Sequence, residues 1–165
     1  MKAILRLFCL LAATAALSGC FSAEKSLIAA DQAVFPYKEI VWMEDKGTEE
    51  VTITRDGDAY RFRPKDAGSD GFLRFMPVGD LFLTELEFIE GDRVNRLYAL
   101  IKVDMDAKTV QSFAAVAPNN FDLPGFTPCD DAMCIDDLDA YLAYGRRLID
   151  DGRPPDAVYR IISAE

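Results

Sequence analysis

A two-residue rhythm runs through the middle of this chain and limits what it can fold into. Phe82, Thr84, Leu86 and Phe88 fall on one side of the alternation, with Glu85 and Glu87 on the other. Val51 and Ile53 alternate with Thr52 and Thr54, and Tyr60 and Phe62 with Arg61 and Arg63. Ala99, Ile101 and Val103 alternate with Leu100 and Lys102. Successive side chains of a β-strand point to opposite faces, so this pattern predicts half-buried strands. On that reading Glu85 and Glu87 lie on a solvent-type face.

Turn residues punctuate the runs. Asp56-Gly57 separates two alternating segments and is a strong hairpin signal. Val78-Gly79-Asp80, Glu90-Gly91-Asp92 and Asp104-Met105-Asp106-Ala107-Lys108 mark further reversals. Strands are expected near 39–44, 49–55, 59–64, 71–77, 81–90, 96–104 and 109–117. Short turns between neighbours predict an up-and-down antiparallel meander.

The period then changes. Ile135, Leu138, Leu142 and Ile149 share one face of a helix expected at about 135–151, with Asp136 as N-cap and Arg146 and Arg147 in the last turns. Gly152, Pro154 and Pro155 stop it, and residues 158–163 read as a final strand. The expected class is mainly β (α+β): about eight antiparallel strands curling into a small barrel or sandwich, with one helix before the last strand.

The N-terminus has a different character. Lys2 and Arg6 precede an apolar run, residues 7–17, and Leu17-Ser18-Gly19-Cys20 closes it. The run is too short to cross about 30 Å of hydrocarbon, which takes roughly 20 helical residues. Small residues leading into a cysteine after such a run resemble the lipobox of bacterial lipoproteins, of the signal peptidase II type. The resemblance implies cleavage between Gly19 and Cys20, diacylglyceryl transfer to the Cys20 thiol and acylation of the new amino end. Several acyl chains anchor stably where one holds only marginally. Phe21 after the cysteine, rather than Asp, implies the outer membrane, with the domain facing the periplasm. The expected organisation is a cleaved signal over 1–19, a lipidated N-terminus and tether over 20–38, and one β-rich domain over 39–165. Leu27, Ile28, Asp31, Phe35 and Pro36 also resemble a segment of uncharacterised small bacterial lipoproteins, which brings no function with it.

Cleavage would remove two of the 18 basic side chains and none of the 28 acidic ones, leaving 16 against 28, a net charge of −12. Such a domain is repelled by nucleic acid and by anionic lipid. A cationic protein partner suits it better. Of the four cysteines, Cys9 falls in the signal and Cys20 carries lipid. Cys129 and Cys134 are expected to form a disulfide, which persists in an oxidising compartment. A loop this short contributes about 2 kcal/mol. Four residues intervene, so the Cys-x-x-Cys redox motif is absent.

The chain has no histidine, which removes His general bases, Ser-His and Cys-His pairs and most catalytic zinc sites. Ser22-Ala23-Glu24-Lys25 matches Ser-x-x-Lys, but the companion motifs of that chemistry are missing. Residues 109–145 hold Asp122, Asp130, Asp131, Asp136, Asp137 and Asp139 with no Lys or Arg. No Asp-x-Asp-x-Asp-Gly frame is present, so calcium is not expected. Asp130, Asp131, Asp136 and Asp137 are the candidate acidic partner surface. Trp42 and several Phe suit an apolar barrel, and the strand order resembles lipocalins, although Ile40 stands where their Gly-x-Trp signature has glycine. The expectation is a non-enzymatic, cofactor-free lipoprotein presenting an acidic β-domain to a protein partner, as an envelope assembly factor or hydrolase inhibitor. The alternative is a lipocalin-like small-molecule or lipid-binding module.

Overall fold

The computed structural model describes residues 20–47, 50–62, 70–114, 117, 121–129 and 132–165. Eight strands form a closed antiparallel barrel. They are β2 (Glu39–Glu44), β3 (Glu50–Asp56), β4 (Ala59–Phe62), β5 (Gly71–Val78), β6 (Leu81–Glu90), β7 (Arg93–Asp104), β8 (Thr109–Phe113) and β11 (Ala157–Ala164). Each strand pairs with its predecessor, β11 lies between β8 and β2, and β6–β7 pairing closes the ring. Closure leaves these strands no open edge. The meander expected from the alternation is therefore present, and within the barrel the sequence-read boundaries are accurate to a few residues.

Helix α1 (Leu138–Asp150) precedes the last strand. It starts later than its apolar period suggests, because Ile135 ends a strand and pairs with Phe126. Asp137, not Asp136, is the N-cap; its carboxylate accepts from the backbone N–H groups of Asp139 and Ala140. Ahead of it, Gly125 has φ +91°, and a Cβ there would stand 2.7 Å from that of Ala140. Only glycine fits this close approach.

Three short strands lie outside the sequence reading: β1 (Cys20–Ser22), β9 (Phe126–Cys129) and β10 (Ala132–Ile135). β9 and β10 form a hairpin, β10 runs parallel to β1, and β1 pairs with β7 at Ser22–Leu97. The segment expected as a tether is thus laid down as the first strand and a strap across the barrel.

Two cores result. The inner one fills the barrel with Ile40, Trp42, Val51, Ile53, Phe62, Leu73, Leu86, Ile101 and Val110, among others. Phe35, at the end of the strap, joins it by stacking on Phe75 at 4.2 Å. The outer core lies between the outside of the barrel wall, the strap and α1. It contains Phe21, Ile28, Leu83, Tyr98, Leu100 and Tyr141. Phe21 is 1% exposed, and its ring meets those of Phe121, Phe126, Tyr141 and Tyr144 at 5.2–5.8 Å. Burying one such side chain contributes about 1.5–3 kcal/mol.

Candidate functional site

Cys20 opens β1 and is half-buried; burial pushes its thiol pKa up. A thiol so held is a poor nucleophile. Gly19 lies outside the described residues.

The strap beyond β1 is fixed by a buried carboxylate. Glu85 stands on the outer face of β6, where the alternation put it, yet it is 0% exposed. This corrects the expected solvent-type face: the strap covers the wall at this point. Glu85 Oε2 accepts from Tyr98 Oη at 2.7 Å, Ser26 Oγ at 2.8 Å and the Leu27 amide at 3.1 Å. Its Oε1 accepts from Arg74 Nη1 at 3.0 Å. A carboxylate has about four acceptor positions, so these donors saturate it. Burial first, and then the bond to Glu85, hold Tyr98 well above its ordinary pKa. Alongside, Glu87 accepts from Arg96 Nε at 3.0 Å, and Arg96 Nη1 reaches the Glu24 carbonyl at 2.6 Å. Glu85 and Glu87 therefore do not form an acid–base pair on an open cleft. They clamp residues 24–27 to the barrel.

The other predicted residues sit near the start of the strap. Cys129 and Cys134 are disulfide-bonded, with Cα atoms 5.6 Å apart, across the β9–β10 hairpin. In register, Cys20 faces Ala132 and Ser22 faces Cys134. Asp136 accepts from Thr127 Oγ1 at 3.3 Å, and Asp137 is committed to the helix cap. Asp130 and Asp131 lie outside the described residues. Among the described residues no cluster of three metal-ligating side chains occurs, and no helix is long and apolar enough to cross a membrane.

The barrel interior contains a small cavity of about 30 Å³, lined by Trp42, Val51, Phe62, Thr84, Ile101, Ser112 and Tyr159 among others. Trp42 Nε1 and Thr84 Oγ1 are buried there without a hydrogen-bond partner among the described residues. One water needs roughly 10–15 Å³ of such space, and a drug-sized ligand about 300–1,000 Å³. The cavity is on the scale of water.

Sequence reasoning missed the clamp and the short strands. The signal for Glu85 was slight: Ser26 and Leu27 lie more than fifty residues away in sequence, and nothing local links them to it. No protein-family model, curated protein or solved structure matches this chain.

Proposed function

We propose that this chain is the precursor of a lipid-anchored envelope protein, held in the outer membrane with its barrel in the periplasm, which acts by binding a protein partner. The observation that carries the reading is the motif itself: Leu17-Ser18-Gly19-Cys20 closes an apolar run that follows Lys2 and Arg6. The residues from Cys20 onward are part of the fold, in β1 and the strap, so a cut before Cys20 would leave the described domain whole.

A non-catalytic role is supported by the absence of histidine and by the saturation of the buried carboxylate at Glu85. The net charge of −12 after cleavage favours a cationic protein as partner, as for an assembly factor or a hydrolase inhibitor. Mass spectrometry of the protein recovered from membranes tests the anchor. The expected species begins at Cys20 and carries acyl mass that Cys20→Ala lacks; an unmodified chain still bearing residues 1–19 would refute it. For the partner, retention from envelope extract at low salt should fall when Asp130, Asp131 and Asp136 are changed to Asn. Retention indifferent to those changes would defeat the acidic-surface reading.

The second reading, a lipocalin-like small-molecule site, has the closed barrel and the unpartnered Trp42 Nε1 and Thr84 Oγ1 in its favour, but the water-sized cavity would have to widen to admit a ligand. Trp42 is the chain's single tryptophan, so a ligand entering the barrel would shift its fluorescence. Emission unchanged across a panel of small amphipathic molecules would dispose of this alternative.

A further inference from the structure

We infer that the hairpin face carrying Cys20, Thr127, Cys129, Ala132 and Cys134 lies against the lipid headgroups, so that the barrel is held in a fixed orientation on the bilayer. This rests on the lipid anchor proposed above, not on the acidic partner surface, which it would replace at this hairpin because Asp136 accepts from Thr127 on the same face.

No spacer separates the anchor residue from the fold. A lipid-bearing cysteine followed by a flexible linker lets its domain wander by several ångströms per linker residue. Here the anchor residue is itself in a strand. Cys20 pairs with Ala132, Ser22 pairs with both Cys134 and Leu97, and neighbouring strands lie about 4.8 Å apart. Slack does not appear further along, because Glu85, Tyr98 and Arg96 hold residues 24–27. Any lipid attached at Cys20 therefore starts within about 5 Å of Ala132. The interfacial zone of a bilayer is itself some 5–8 Å deep on each side, so the hairpin cannot stand clear of it.

The chemistry of the face fits that neighbour. Side chains alternate, so Phe21, Met133 and Phe126 share the side turned to the outer core, while Cys20, Ala132, Cys129, Cys134 and Thr127 share the other. None of these five carries a charge, and Cys129 and Cys134 are joined by a disulfide. The turn that joins β7 to β8 points away. From Leu97 to Asp104 the strand runs roughly 23 Å at about 3.3 Å per residue, and exposed Asp106 lies beyond it.

The test uses the lipoprotein expressed as the full chain, purified from membranes and reconstituted in phosphatidylcholine vesicles, with mass spectrometry of Cys20 in every sample. Wild type reports only the interior Trp42. Thr127→Trp adds a probe on the hairpin face, at an exposed position, and Asp106→Trp adds one at the far end. Brominated phosphatidylcholine should quench and blue-shift the Thr127→Trp emission, while wild type and Asp106→Trp lose little. Ala132→Trp serves the same purpose should Thr127→Trp not fold. Acylated protein in which the hairpin probe is quenched no more than Asp106→Trp overturns the orientation and leaves the anchor standing. A chain without acyl mass overturns the anchor itself, and the orientation with it.

Discussion

The two cores of this protein are built from the same kinds of side chain but by different routes. The inner core is made by hairpins: each barrel strand packs beside its sequence neighbour, and its contacts are set by the alternation and by short turns. The outer core is assembled from distant pieces. Phe21, Leu83, Phe126 and Tyr141 come from four separate elements and converge on one side of the wall. Its polar part is equally non-local, since Glu85 bonds to residues 58 and 59 positions away. The inner core makes the fold, and the outer one fixes the N-terminal strap to it.

That difference yields measurable contrasts. The steepest is with alkaline pH. Tyr98 and Tyr141 in the outer core and Tyr159 in the inner one are held above their ordinary pKa, primarily by burial. The unfolded chain releases these protons from about pH 10 while the folded one retains them. Stability is therefore complete well below pH 10 and falls as the pH rises through it, by at most about 1.4 kcal/mol per pH unit for each tyrosine. Denaturant midpoints at pH 7, 9 and 11 should fall almost entirely across the last interval.

Phe21→Ala removes the centre of the outer core and should cost about 3–5 kcal/mol in chemical denaturation. If it costs under about 1 kcal/mol, the strap is not a structural part of the domain. Glu85→Gln keeps the shape but replaces one acceptor oxygen by a donor among donors. It should cost about 2–3 kcal/mol and increase proteolysis within residues 23–30 before the barrel opens. A uniform loss of protection would show the two cores to be one cooperative unit. Tyr141→Phe has the opposite sign. Its hydroxyl is buried with no partner among the described residues, so removing it should raise stability by up to about 1 kcal/mol.

The same contrast explains what the sequence disclosed. Alternation in Phe82–Phe88, the Asp56-Gly57 turn and the helical period after Ile135 are local signals, and they located the barrel strands and α1. The Cys129–Cys134 pair was legible because these two cysteines remain once Cys9 and Cys20 are set aside, and their five-residue separation closes a tight loop. Strands of three or four residues are too short to display a period, which hid β1, β9 and β10. Glu85 was misplaced for a related reason. Alternation tells which side of a strand a residue occupies, but not whether a segment from elsewhere in the chain covers that side. Asp136 lost the cap to Asp137 because Ile135 was claimed by β10, a pairing visible only in three dimensions.

The central claim is that the residues after Cys20 belong to the folded wall. Native-state hydrogen exchange of the Leu27 and Val34 amides tests it most directly, because Leu27 donates to Glu85 and Tyr98 and Val34 donates to the Phe75 carbonyl. Both amides are expected to exchange far more slowly than in an unstructured peptide, at rates approaching those of β6 and β7. Exchange at the free-peptide rate while β6 and β7 stay protected would contradict the claim.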